Sequence, residues 1–170
     1  MTDGMNGFLN EMHAINISGK YLVLLRLTLG FAFITTWASN FLKGVFTPDG
    51  YTDLVTSYIN SNIGTPYNTF VKNIILPNAG IFSFIQIILE LTIATSLIFG
   101  LFTRLGSLLG LFMSINLFFL TLGVEYEWPW TYILMIVGFL ICAIYSVGRI
   151  YGFDFWLEKK LPRYLQVILI

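Results

Sequence analysis

Hydrophobic residues run along this chain in four long blocks, separated by short polar stretches. A helix that crosses a bilayer needs about 20 mostly apolar residues. Four segments reach that length: 21–42, 81–102, 105–124 and 130–150. Only Thr103 and Arg104 separate the second from the third, which predicts a tight helical hairpin. Between the third and fourth lies EYEWPW, whose acids, proline and tryptophans suit a turn at the membrane–water interface.

The long first loop has its own periodicity. Tyr51, Leu54, Val55, Tyr58 and Ile59 follow the i, i+3, i+4, i+7, i+8 spacing of an apolar helix face, and Tyr67, Phe70, Val71, Ile74 and Ile75 repeat it. Thr65-Pro66 signals a helix start and Pro77 a stop. These segments, about 51–62 and 66–76, predict two short amphipathic helices over the outer ends of the spans, either as a plain cap or as the roof of a site. Phe8, Leu9 and Met12 suggest a short amphipathic helix before the first span. Phe153, Trp156, Leu157, Leu161 and Tyr164 suggest another after the fourth, with Lys159, Lys160 and Arg163 placed for anionic headgroups. The expected fold is therefore an all-α membrane protein, a four-transmembrane-helix bundle forming a single domain over 1–170.

Composition agrees. Hydrophobic residues make up 56% and charged residues 11%, against a usual charged share of roughly 25%. The formal net charge of zero gives no pull toward nucleic acid. Cys142 is the only cysteine and His13 the only histidine. The chain therefore has no intrachain disulfide or thiol pair, and lacks the ligands for a haem or copper centre. Any metal on an electron path is expected on another subunit. The first apolar run, starting near Tyr21, is too long for a cleavable signal core.

Lys and Arg set the expected orientation. Lys20, Arg26, Arg104, Arg149, Lys159, Lys160 and Arg163 fall on one side, and only Lys43 and Lys72 on the other. The positive-inside rule then puts both termini in the cytoplasm of a multi-pass cell-membrane protein.

Against this background Glu90 stands out. It lies deep in the second span, where a bare carboxylate costs several kcal/mol, about 2.5 or more. Gln86 is one turn away on the same face and can share a hydrogen-bond network. Arg26, one to two turns into the first span, is the expected partner. Three readings stay open: a structural Glu–Arg clamp, a proton-exchanging carboxyl beside a ligand, or a protonated Glu90 with Arg26 reaching for headgroups. Arg26, Arg104 and Arg149 share one level and suit either an anion site or ordinary interfacial anchors. Asp154, in the glycine-broken stretch GRIYGFD, is expected to fold back onto an arginine, with Arg149 the nearest. Asn116 suggests an interhelical hydrogen bond. Thr35, Thr36, Trp37, Asn40 and Lys43 form a polar stripe suited to an outward-opening cavity. Gly106, Gly110 and Ser114, four apart, suggest close helix packing.

An arginine early in the first span, GLFTR closing the second after a mid-helix glutamate, and GRIYGFDFWLEKKLP after the fourth together resemble the DoxX/DoxD family. With EWPWTY, the likeness is greatest to the DoxD branch and runs from about Lys20 to Pro162. Arg26, Glu90, Arg104, Gly148, Arg149, Gly152 and Asp154 match the family pattern. The resemblance implies a four-helix subunit of a thiosulfate:quinone oxidoreductase, passing electrons to membrane quinone with a DoxA-like small subunit or terminal oxidase subunits as partners. Quinone is the cofactor expected on that basis, with Gln86, Arg26 and Trp37 as contacts and Glu90 as the proton-exchanging group. The alternative is a non-catalytic accessory subunit of a respiratory complex such as a haem-copper quinol oxidase. A small-anion carrier is a third class, though no inverted repeat is apparent.

Overall fold

The structure is a computed structural model that describes residues 19–169. Among these residues every regular element is helical. Three helices are long and apolar enough to cross a membrane: α1 (Gly19–Leu42), the segment Pro66–Phe99 that ends in α4 (Ala79–Phe99), and α5 (Thr103–Thr121). The fourth expected span is shorter than its apolar run. It forms α6 (Pro129–Ile144), 16 residues, about 24 Å of helix against a hydrocarbon core of about 30 Å. Ser146 then takes a positive φ, and a 3-10 turn (Val147–Arg149) redirects the chain. The expected amphipathic helix before the first span lies outside the described residues.

The bundle is built from two tight pairs, α1 with α4 and α5 with α6, which also contact each other through α4–α5 and α1–α6. Leu29 and Phe33 of α1, Ile93 and Leu97 of α4, and Phe139 and Cys142 of α6 make its core. Gly106 and Gly110 are where α5 admits its neighbours. Gly106 lies against the Ser96 side chain of α4, and Gly110 lies under the Phe139 ring of α6, which would overlap any Cβ placed there. The small-residue spacing is thus packing, as expected.

The outer loop forms the two short helices that its periodicity predicts. α2 (Pro48–Ser61) starts with Thr47, whose hydroxyl accepts from Gly50 N at 3.1 Å, and with Pro48 in the first turn. It buries Tyr51, Val55 and Ile59. These pack on Val71, Ile75 and Ala79 in a second, smaller core. α3 (Pro66–Phe70) does not stop at Pro77. It continues through a π turn (Val71–Ile75) and a 3-10 turn (Leu76–Asn78) into α4. Proline removes one helical hydrogen bond, and the changed winding around it lets the chain stay helical. After α6 the expected single amphipathic helix is divided into α7 (Asp154–Leu157) and α8 (Arg163–Leu169), with Pro162 between them; α8 rests on α5.

Candidate functional site

Glu90 is buried on α4 and faces α1 rather than lipid. Gln86 Nε2, one turn away, donates to Oε1 at 2.8 Å. Asn40 Nδ2, near the end of α1, donates to Oε1 at 2.9 Å and to Oε2 at 3.2 Å. Among the described residues no cation pairs with this carboxylate. The expected Arg26–Glu90 pair does not form. α1 and α4 run antiparallel, so Asn40 is level with Glu90 while Arg26 lies beside Gly100 at the other end of α4. Fourteen residues of helix, about 21 Å, separate Arg26 from Asn40.

Next to this cluster is a partly open cavity of about 210 Å³ lined by residues of α2, α3, α4 and α5. The outer helices therefore cover a cavity. The walls are mostly apolar, Phe82, Leu89 and Phe112 among them, with Gln86, Asn116, Tyr58 and Tyr67 as polar points. Gln86 has two roles: its side chain lines the cavity and its amide donates to Glu90. Glu90 is not on the lining and meets the cavity only through Gln86. Tyr67 donates to Asn116 Oδ1 at 2.9 Å, which makes the interhelical bond expected of Asn116. Tyr58 donates to Glu127 Oε1 at 3.3 Å, and Tyr132 to Glu127 Oε2 at 2.9 Å. Burial and the Glu127 charge push the Tyr58 phenol up to about 12. Only Asn40 from the polar stripe of α1 joins the cluster. Trp37 stacks on Phe41 at 5.7 Å, off the cavity lining, with its indole N–H buried and unpartnered among the described residues.

The motif-bearing end of the bundle is a different kind of structure. Arg26 is buried, and its guanidinium donates to the carbonyls of Val147 (3.1 Å), Ile150 (3.2 Å) and Tyr151 (3.3 Å). It thereby satisfies main-chain acceptors where α6 has ended. Asp154 does not pair with Arg149. Its carboxylate accepts from Phe102 N at 2.6 Å and Thr103 N at 2.9 Å, capping the start of α5. Its own N–H donates to Gly100 O at 2.8 Å. Burial pushes the Asp154 carboxyl up, opposed by these N–H donors and by the nearby Arg26 charge. Gly100, at φ +64°, is the left-handed C-cap of α4, and a Cβ there would meet the Arg26 guanidinium and the Gly152 backbone.

Arg149 instead pairs with Glu158 at 3.4 Å, both partly exposed. Arg104 makes no ion pair among the described residues. The three arginines therefore do not form one anion site: Arg26 is held by main-chain carbonyls at the bundle end, and Arg149 lies apart from it with one nitrogen paired to Glu158.

Two partnerships were not legible in advance. Asn40 carries a signal only as one member of a stripe, and nothing in its spacing sets it against Glu90. Glu127 is readable as an interfacial acid, but its two tyrosines come from different elements.

The sequence model of a known family, described as DoxX, matches residues 21–123, more than half of the chain. No curated protein and no solved structure matches it.

Proposed function

The chain belongs to the DoxX family, and from that premise we propose that this multi-pass membrane protein is the quinone-facing subunit of an oxidoreductase of the thiosulfate:quinone type. One observation carries the reading: Gln86 both lines an apolar, aromatic cavity and donates to the buried Glu90 carboxylate. Small-molecule sites are commonly apolar pockets with a few placed polar groups, and the residues here fit a quinone on those terms. Phe82, Leu89 and Phe112 would flank the ring, while Gln86 would hold a carbonyl. A bound quinone supplies the two-electron acceptor, and its reduction requires two protons.

The chain's own residues then have separate tasks. Gln86 orients the carbonyl. Glu90, behind it, would supply one of the two protons by way of a single bridging water, with Gln86 holding its carboxyl in place, and the second proton would come from solvent. α2 and α3 keep out bulk water. Asn40 fixes the Glu90 carboxylate from α1. General acid–base groups typically contribute about 10²–10⁴-fold. In this reading both termini are cytoplasmic, and a DoxA-like partner brings the electrons and the sulfur chemistry.

The test uses the purified complex with its native partners. Glu90→Gln should leave assembly intact and lower thiosulfate-dependent quinone reduction by about 10²-fold or more. Met113→Trp, which fills the cavity, should weaken quinone binding. Full turnover in Glu90→Gln removes Glu90 from the chemistry, and unchanged quinone binding in Met113→Trp removes the cavity.

A second reading, a non-catalytic accessory subunit of a terminal oxidase complex, draws on a different observation. Residues that match the family pattern at the other end, Arg26, Gly148, Gly152 and Asp154, serve to hold chain ends together. Co-purification with haem-copper subunits and no thiosulfate activity would favour it.

A further inference from the structure

At the end of the bundle opposite the Glu90 cluster, a second pocket of about 640 Å³ opens between the end of α4 and α7. Arg149 lies on it together with Phe99, Tyr151, Phe153, Phe155 and Trp156. These aromatic rings are not core: Tyr151 is 77% exposed and Trp156 67%.

The pocket floor is nevertheless fixed. Phe153 N donates to Phe99 O at 3.2 Å, and the carbonyls of Ile150 and Tyr151 are held by Arg26. A loose terminal segment would not have such anchors.

Charge around the opening is unbalanced. Among the described residues, Arg149 on the pocket and Lys159 at its rim have one surface carboxylate beside them, Glu158, which takes one Arg149 nitrogen at 3.4 Å; the exposed Lys160 is next along the chain. Lys159 sits over the Phe155 ring at 4.8 Å, which sets a cation at the rim. Asp154, the other acid nearby, is buried and turned toward α5. In a membrane protein, exposed aromatic rings at the end of a bundle sit at headgroup depth, and clustered cations at that depth attract anionic lipid.

We propose that this pocket is a cradle for the phosphate headgroup of an anionic membrane lipid. Arg149 takes the phosphate oxygens from its exposed side, and Lys159 and Lys160 supply the preference for net negative charge. The aromatic wall of Phe153, Phe155 and Trp156 receives the glycerol and upper acyl chain. A free phosphate ion would use the cations and leave that wall without a function, so the lipid is the occupant that uses both halves of the pocket.

The experiment is native mass spectrometry of the purified, delipidated full chain. It is offered equal amounts of phosphatidylglycerol and phosphatidylcholine with identical acyl chains. One phosphatidylglycerol should be retained in preference. Arg149→Gln should lower that retention about fivefold, equivalent to the roughly 1 kcal/mol that one surface cation contributes. Phe153→Ala with Trp156→Ala should lower retention of both lipids, and Arg104→Gln, off the pocket, should change neither. If Arg149→Gln does not fold, Lys159→Gln with Lys160→Gln must erase the phosphatidylglycerol preference. Equal retention of the two lipids by the unaltered protein overturns the proposal. So does a loss in Arg104→Gln as large as in Arg149→Gln. Displacement of phosphatidylglycerol by excess inorganic phosphate would make this a free-anion site and overturn the lipid assignment.

Discussion

Replacing Asp154 by alanine removes the acceptor for two main-chain N–H groups, Phe102 N at 2.6 Å and Thr103 N at 2.9 Å. Asp154 and Thr103 are fully buried, so water does not readily take over. A buried donor left without its partner costs about 1–3 kcal/mol, and two cost about 2–6 kcal/mol. The nearby Arg26 also loses a compensating charge. Arg149→Ala breaks only a partly exposed pair at 3.4 Å, a class worth about 0–1 kcal/mol. The two sites share no bond, so their losses should add to within about 0.5 kcal/mol. The assay is reversible unfolding in mixed micelles of the unaltered protein, both single variants and the double variant, with Cys142 retained. A direct Arg149–Asp154 pair, the arrangement expected from GRIYGFD, would show as a double variant costing well under the sum. A coupling above about 1 kcal/mol, or an Asp154→Ala cost no larger than that of Arg149→Ala, would refute the capping role.

Other consequences are as testable. Gly110→Ala drives a methyl into the Phe139 ring and should cost about 1–3 kcal/mol as overpacking, with most of the loss recovered by Phe139→Leu in the same chain. The Tyr58 phenol is raised to about 12 in the folded protein, above an unfolded value of about 10. Its neutral form therefore stabilises the fold fully below about pH 10, and that contribution falls as pH rises toward 12; unfolding followed across this window should show the alkaline loss shrink in Tyr58→Phe, and an unchanged profile would count against it. With Cys142 replaced by alanine, Ser61→Cys should react with an impermeant thiol reagent on intact cells and Lys159→Cys only after permeabilisation; the opposite pattern inverts the proposed orientation.

Much of this architecture follows from the sequence alone. Apolar runs of the right length dictate the helices, since a backbone in lipid must satisfy its own hydrogen bonds. Two residues between the second and third apolar runs, Thr103 and Arg104, leave no room for anything but a hairpin, although the turn itself falls at Gly100–Phe102 and Thr103 opens α5. The 3.6-residue period of the outer loop identifies Tyr51, Val55 and Ile59 as a buried face. The Gln86–Glu90 bond is equally local, because residues four apart on one helix must be neighbours.

The tertiary structure decided what happens between helices. Each residue of axial offset moves a side chain by 1.5 Å, and no residue type encodes that offset. Side-chain packing set it, placing Gly30 of α1 against Leu97 and Ile98 of α4. That register gave Glu90 to Asn40 and left Arg26 beside Gly100. The same holds for the main-chain partners. The sequence shows Arg26 and Asp154 as opposite charges in search of each other or of Glu90 and Arg149. The folded chain offers them carbonyls past the end of α6 and N–H groups at the start of α5, donors and acceptors that every residue carries and that only chain direction makes available.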